Sequence, residues 1–268
     1  MTSHQRWEFA AYPMVEEADA TGVVAGVYAD LQDRMPFVPS LFKSLALCPG
    51  YLVLAAEQAT AAMTQPAYAA AAERLAGSVR CAATAPADAA ATAALADFVD
   101  PLSRMLLLTA GLRTALDGDL PAEPAPGRAP QPRPLRLTSA APSPWQAPAA
   151  ELYGQIRAAL HTPIVNSIWR SLAGRDLLEP AWAALRPQAT ATAPAATALR
   201  QQAIDTAREL RWPLAATPTA LRAAGLTDAA PGIASVLDAY LATLPRVLTL
   251  VACTTAPPEP NHSAEEPR

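Results

Sequence analysis

The sequence predicts an all-α protein of two tandem helical repeats, related by a pseudo-twofold axis with a cleft between them. Three observations carry this. Val38-Pro39-Ser40-Leu41-Phe42-Lys43-Ser44-Leu45-Ala46 returns as Val165-Asn166-Ser167-Ile168-Trp169-Arg170-Ser171-Leu172-Ala173, each copy following a proline-led step, Pro36-Phe37 and Pro163-Ile164. The stretch from Leu95 to Ala110, carrying Arg104-Met105-Leu106-Leu107-Leu108, is echoed from Leu237 to Ala252 by Arg246-Val247-Leu248-Thr249-Leu250, at a slightly larger separation. Hydrophobic residues make up 51% of the 268, aromatics only 6%, and alanine supplies much of the difference. Alanine loses no side-chain entropy in a helix, and strand-like alternation of β-branched residues is scarce. Two copies of one helical unit pack about an axis and leave a cleft, which is where a ligand is expected.

The elements follow in order. Residues 1–21 read as an irregular lead-in. A helix is expected from Gly22 to Arg34, with Val24, Val27, Tyr28 and Leu31 at helical spacing. After the break at Pro36 and Pro39, a second helix starts at Ser40, buries Leu41, Phe42 and Leu45, and should stop at Pro49-Gly50. Further helices are expected over Tyr51–Met63, Ala67–Ala83 and Ala87–Asp117, the last bent near Pro101. The first repeat thus occupies residues 1–116. Residues 117–148 contain Pro121, Pro124, Pro126, Pro130, Pro132, Pro134, Pro142 and Pro144, too many for a helix, and read as a linker of extended backbone.

The second repeat, 149–253, should hold helices over Ala149–Leu160, from Val165 or Asn166 to Ala173, Pro180–Arg186 and Ala195–Leu210. Gly174–Glu179 reads as a turn, and Trp212-Pro213 closes the Ala195 helix. Thr217 caps a short helix that has Pro218 at its first position. The last helix runs from about Pro231 to Cys253, and residues 254–268 read as a disordered tail.

Charge narrows the partners. A net charge of −4 offers no electrostatic footing for nucleic acid or an anionic membrane surface. The apolar stretch from Ala229 to Cys253 contains Asp238, Pro245 and Arg246, which argues against an ordinary span. Acidic residues interrupt the first twenty positions, so no secretory signal is visible, and a cytoplasmic location is expected. Cys48, Cys81 and Cys253 lie far apart with no C-x-x-C and read as small buried hydrophobes in a reducing compartment. No metal and no cofactor is expected. A small-molecule carboxylic acid is the expected partner, a homodimer being the one assembly considered.

Chemistry, if present, must come from the repeated motif. No G-x-S-x-G, H-E-x-x-H, G-x-G-x-x-G or P-loop pattern occurs, and His161 has no second histidine or cysteine at ligand spacing. Each proline break leads into a helix start, where unpaired N–H groups carry positive partial charge and attract anions. Asn166 and Ser167 stand at that entry. They either cap the helix or bond a small polar ligand, and one residue can cap while its neighbour binds. Phe42 and Trp169 occupy equivalent positions and read as core aromatics. Lys43 and Arg170 are also equivalent. A solvated face is the plain reading for Arg170, and a ligand contact is the alternative.

Taken together, Thr21-Gly22-Val23-Val24-Ala25-Gly26-Val27-Tyr28-Ala29-Asp30-Leu31, Val38-Pro39, Leu45-Ala46, Pro49-Gly50-Tyr51-Leu52, and the second copy from Leu152-Tyr153 to Ala173 resemble the group I 2-haloacid dehalogenases, also called the halocarboxylic acid dehydrogenase family. The resemblance covers most of the chain outside the linker and the tail. It implies two helical repeats, an active site between them, and hydrolytic removal of halide from 2-haloalkanoic acids. In that family an aspartate just after the second proline step is thought to activate water for direct displacement, with no metal and no covalent ester. The matching position here is Asn166, whose neutral amide cannot accept a proton from water. The family's asparagine near the start of the first repeat's last helix is also replaced, in the stretch Val99-Asp100-Pro101-Leu102. Its cleft-wall aromatic survives as Phe37. The resemblance therefore places a catalytic position at Asn166 and a substrate site among Phe37, Ser40, Ser167 and Arg170. Asp100 and Asp176 are conceivable substitutes for the base, but the plain reading of each is an exposed turn residue. A more distant likeness, carried by Val38-Pro39-Ser40-Leu41-Phe42 and Pro49-Gly50-Tyr51-Leu52, is to alkylhydroperoxidase D-like and carboxymuconolactone decarboxylase helical domains. Those peroxidases need a C-x-x-C pair that this chain lacks. A diverged relative of the dehalogenases is thus expected, with a non-catalytic carboxylate-binding protein of the same fold as the alternative.

Overall fold

Thr21 leads into the first helix, α1 (Gly22–Gln32), which buries Val24, Tyr28 and Leu31 along one side, as their spacing predicts. The computed structural model describes residues 13–35, 37–79, 89–120, 122–123 and 149–255. Pro36, Cys81, most of the expected linker and the expected tail beyond residue 255 lie outside the described residues.

The short helix α2 (Ser40–Leu45) is buried at every position but Lys43. Pro49 was expected to end it. Instead α2 closes at Leu45, and Pro49 opens α3 (Pro49–Met63). A proline at the first helical position forfeits an N–H that would have had no partner anyway, so it starts a helix as readily as it stops one. The same logic opens α4 (Pro66–Ser78) on Pro66. The single bent helix expected from residue 87 to 117 is two helices, α5 (Ala89–Ala96) and α6 (Val99–Asp117), broken at Asp97-Phe98. Pro101 sits in the first turn of α6, where it is tolerated. Gly118 then ends α6 in the left-handed region, at φ 80°.

Ala122–Glu123, within the expected linker, forms a two-residue strand β1 that pairs in parallel with β2 (Trp212–Pro213). The second half supplies α7 (Ala149–Leu160), α8 (Ser167–Ala173), α9 (Leu178–Leu185), α10 (Ala193–Glu209), α11 (Pro218–Ala223) and α12 (Ala230–Thr255). Thr217 caps α11 as expected, its hydroxyl oxygen accepting from the Ala220 N–H at 3.1 Å. Among the described residues β1 and β2 are the only strands; the rest is helices and the turns that join them.

The centre is the pairing of α6 with α12, flanked by α4 and α10 on α6 and by α5 and α10 on α12. Leu106, Leu107 and Leu108 of α6 and Leu237, Tyr240, Leu241, Val247 and Leu248 of α12 are essentially inaccessible, so both halves of the chain share one core. Small residues set its spacing. A Cβ at Gly111 would stand 2.4 Å from the Trp212 ring, which packs edge-on to Tyr68 and donates its indole N–H to the Ala207 carbonyl at 2.7 Å.

The stretch from Thr227 to Cys253, which takes in most of α12, is long and apolar enough to cross a membrane, yet 67% of its most apolar window is buried inside the protein. Core service explains its apolarity. Cys253 is disulfide-bonded, which corrects the expectation that the cysteines are all free thiols, whereas Cys48 is free.

Candidate functional site

The two copies of the repeated motif meet at their helix starts. The Ser40 N–H, first in α2, donates to the hydroxyl oxygen of Ser167, first in α8, at 3.0 Å. One residue earlier, Asn166 is only 5% exposed, and its Oδ1 accepts from the Ile168 N–H at 3.1 Å. Capping is therefore one role Asn166 fills. Its Nδ2 has no bonding partner among the described residues.

Beside this junction lies a cavity of about 890 Å³. Phe37, Ser40, Asn166 and Ser167 all line it, brought together from the two halves of the chain. Helix starts, the α5–α6 break and the buried seam of α12 supply the rest of the wall. Met35, Met63, Phe98, Met105 and Leu244 make most of it apolar, and Tyr240, buried in the wall, shares its hydroxyl with Ser44 Oγ at 3.0 Å.

Arg170 does not line the cavity. Its guanidinium turns to Glu16, with Nη1 2.5 Å from Oε1, and Lys43 reaches the same carboxylate at 3.1 Å and Glu17 at 2.9 Å. The motif-equivalent cations thus share a single acid from the lead-in segment. Burial alone would raise the Glu16 pKa, but the hydrogen bond and charge of Arg170, joined by Lys43, outweigh it and hold the carboxyl below its ordinary value. Tyr28 sits alongside, its hydroxyl donating to the Val15 carbonyl at 2.8 Å, and burial with Glu16 and Glu17 pushes its pKa well up.

Of the acidic residues weighed as substitutes for a base, Asp100 lines the cavity but is held by Arg104, whose Nε lies 2.8 and 2.9 Å from its two oxygens. Asp176 is an exposed turn residue at φ 56° and does not line the cavity. Sequence reasoning missed four charged residues of the wall: Arg104, inside α6, and Arg34, Asp97 and Arg175 outside the helices. The last three stand at element ends, where helical periodicity carries no signal. Among the described residues no group of histidines, cysteines and acids is disposed to hold a metal ion.

Comparison with solved structures matches this arrangement over nearly its whole length. The fold is that of D-2-haloacid dehalogenase structures. A D-2-haloacid dehalogenase mutant superimposes with a TM-score of 0.70 at 17% identity, covering 90% of this chain and 94% of the other. A mutant of such an enzyme in complex with D-2-CPA gives 0.68 at 17% identity, and a complex with L-LA gives 0.68 at 16%, both with the same coverage. No family model matches the sequence, and no curated protein matches it.

Proposed function

We propose that this chain is a diverged relative of the 2-haloacid dehalogenases that binds a small carboxylic acid in the cavity at the α2–α8 junction, with an amide in place of the expected water-activating base. The observation that carries the reading is Asn166. It stands at the expected catalytic position, lines the cavity and is buried, but its Oδ1 is committed to the cap of α8. An amide can orient a ligand or a water, yet it cannot take up the proton that hydrolysis releases. Ser40 and Ser167 support the two-repeat architecture. They lie 127 residues apart, the spacing of the repeated motif, and bond to each other, as motif-equivalent residues near a pseudo-twofold axis would. Glu16, shared by the equivalent Lys43 and Arg170, supports it in the same way.

The test is calorimetric titration with 2-chloropropionate, accompanied by assay of free halide. The reading expects saturable binding and no halide release above the uncatalysed background. An absence of binding would remove it.

One observation favours a second reading, in which the protein does hydrolyse its acid. Asp97 lines the cavity, is exposed there and forms no ion pair among the described residues, so it is a carboxylate free to serve as base. Halide release that disappears in Asp97→Asn would establish this reading in place of the first.

A further inference from the structure

The cavity is far larger than a short 2-haloacid. Its volume of about 890 Å³ corresponds to about 30 waters of the liquid, and pockets of about 300–1,000 Å³ are those that enclose drug-sized ligands. Its apolar wall has a particular chemistry. Met35, Met63 and Met105 face the space together with Phe37 and Phe98. Thioethers are polarizable, adapt their shape, and make favourable contacts with aromatic rings. Such a wall fits an aromatic body better than a short alkyl chain.

Charge in the wall is uneven. Arg34, Arg104 and Arg175 line the cavity together with Asp97 and Asp100, and Arg104 pairs with Asp100. Arg175 has no carboxylate partner among the described residues, yet it is held in place. Its Nη2 lies 3.2 Å from Ser171 Oγ, its Nε donates to the Ser171 carbonyl, and its guanidinium carbon sits 5.6 Å from the centre of the Phe98 ring. A stacked guanidinium keeps its planar fork aligned, and a carboxylate is the group that fork fits in two-point contact. Phe98 and Ser171 line the same cavity.

Resting on the proposed function above, we infer that the natural ligand is a carboxylic acid bearing an aromatic body, with the body against the methionine and phenylalanine wall and the carboxylate on Arg175. Arg175, not Arg170, is then the cation that selects acids over neutral analogues.

Calorimetry on the full chain tests this with three probes: 2-phenoxypropionate, 2-chloropropionate and the neutral 2-phenoxypropionamide. The aromatic acid should bind at least about tenfold tighter than the chloro acid, since even small apolar additions are worth that much in a matching pocket. Arg175→Gln should weaken the aromatic acid by about tenfold or more and leave the amide unchanged, because only the acid gains a charge-assisted bond. Arg175 is exposed, so the variant should keep the native circular dichroism and melting temperature. Should it not, Arg175→Lys, which keeps the charge and loses the fork, must give an intermediate affinity. Equal binding of the two acids, or an equal loss for acid and amide in Arg175→Gln, overturns the inference while leaving the proposed function standing. Failure of both acids to bind overturns the two together.

Discussion

Glu16 shows how one side chain ties the two halves of this chain at residue scale. It accepts from Lys43 of α2 and Arg170 of α8 while only 18% of its side chain is exposed. Removing its charge leaves Arg170 without that partner in a partly buried place. Glu16→Gln should therefore lower stability by about 2 kcal/mol in denaturant unfolding at neutral pH. Because the folded protein holds the Glu16 pKa below its unfolded value, the contribution is complete above the ordinary glutamate range and is lost as pH falls through the lowered folded value. Unfolding measured across the acid range should show a shallower fall in Glu16→Gln than in the native protein, and parallel curves would refute the assignment. Gly111 is a second such point. The Trp212 ring occupies the place its Cβ would need, so Gly111→Ala should cost about 1–3 kcal/mol by overpacking, read as a lowered denaturation midpoint. The chemistry of these residues was only partly legible in the sequence. The Asn166 cap follows from residue type beside a proline break, whereas the partner of Arg170 lies in a lead-in segment that has no periodicity to read.

The helices themselves were the most legible part, because their apolar spacing is a local property. Their ends were less so. Proline can close a helix or open one, and Pro49 and Pro101 both sit in first turns where the sequence suggested a stop and a bend. Short elements whose reason is tertiary could not be read at all. β1 and β2 pair across the two halves, and the segment after β2 is held by Gln58 of α3, whose Oε1 accepts from the Ala215 and Ala216 N–H groups, each at 3.1 Å. Gln58 is itself fully buried. Gln58→Leu should remove that acceptor and cost about 2 kcal/mol or more, with faster hydrogen exchange at Ala215 and Ala216 as the specific sign. Unchanged exchange at both amides would show that the segment is held by something else.

For the whole molecule, the shared α6–α12 core means that the two halves of the chain do not act as independent folding units. Thermal unfolding should give a single transition, with coincident far-UV and near-UV signals and equal calorimetric and van't Hoff enthalpies. Two separated transitions would contradict it. The repeated motif was readable from the sequence because it repeats residues in order, and the structure brings its two copies together where α2 and α8 start. The cavity beside that junction was not readable, since its wall joins element ends to inner faces of α6 and α12 that only the packing of the helices brings together. The central claim, that Asn166 occupies a base position without acting as a base, has a direct measurement. Aspartate caps helices as well as asparagine does, so Asn166→Asp can keep α8 intact and leave its second carboxylate oxygen where Nδ2 now has no partner. Halide release from 2-chloropropionate should be undetectable for the native protein and measurable for Asn166→Asp, a gain of roughly 10²- to 10⁴-fold if general-base assistance is restored. Rapid native turnover that survives Asn166→Ala would contradict the account.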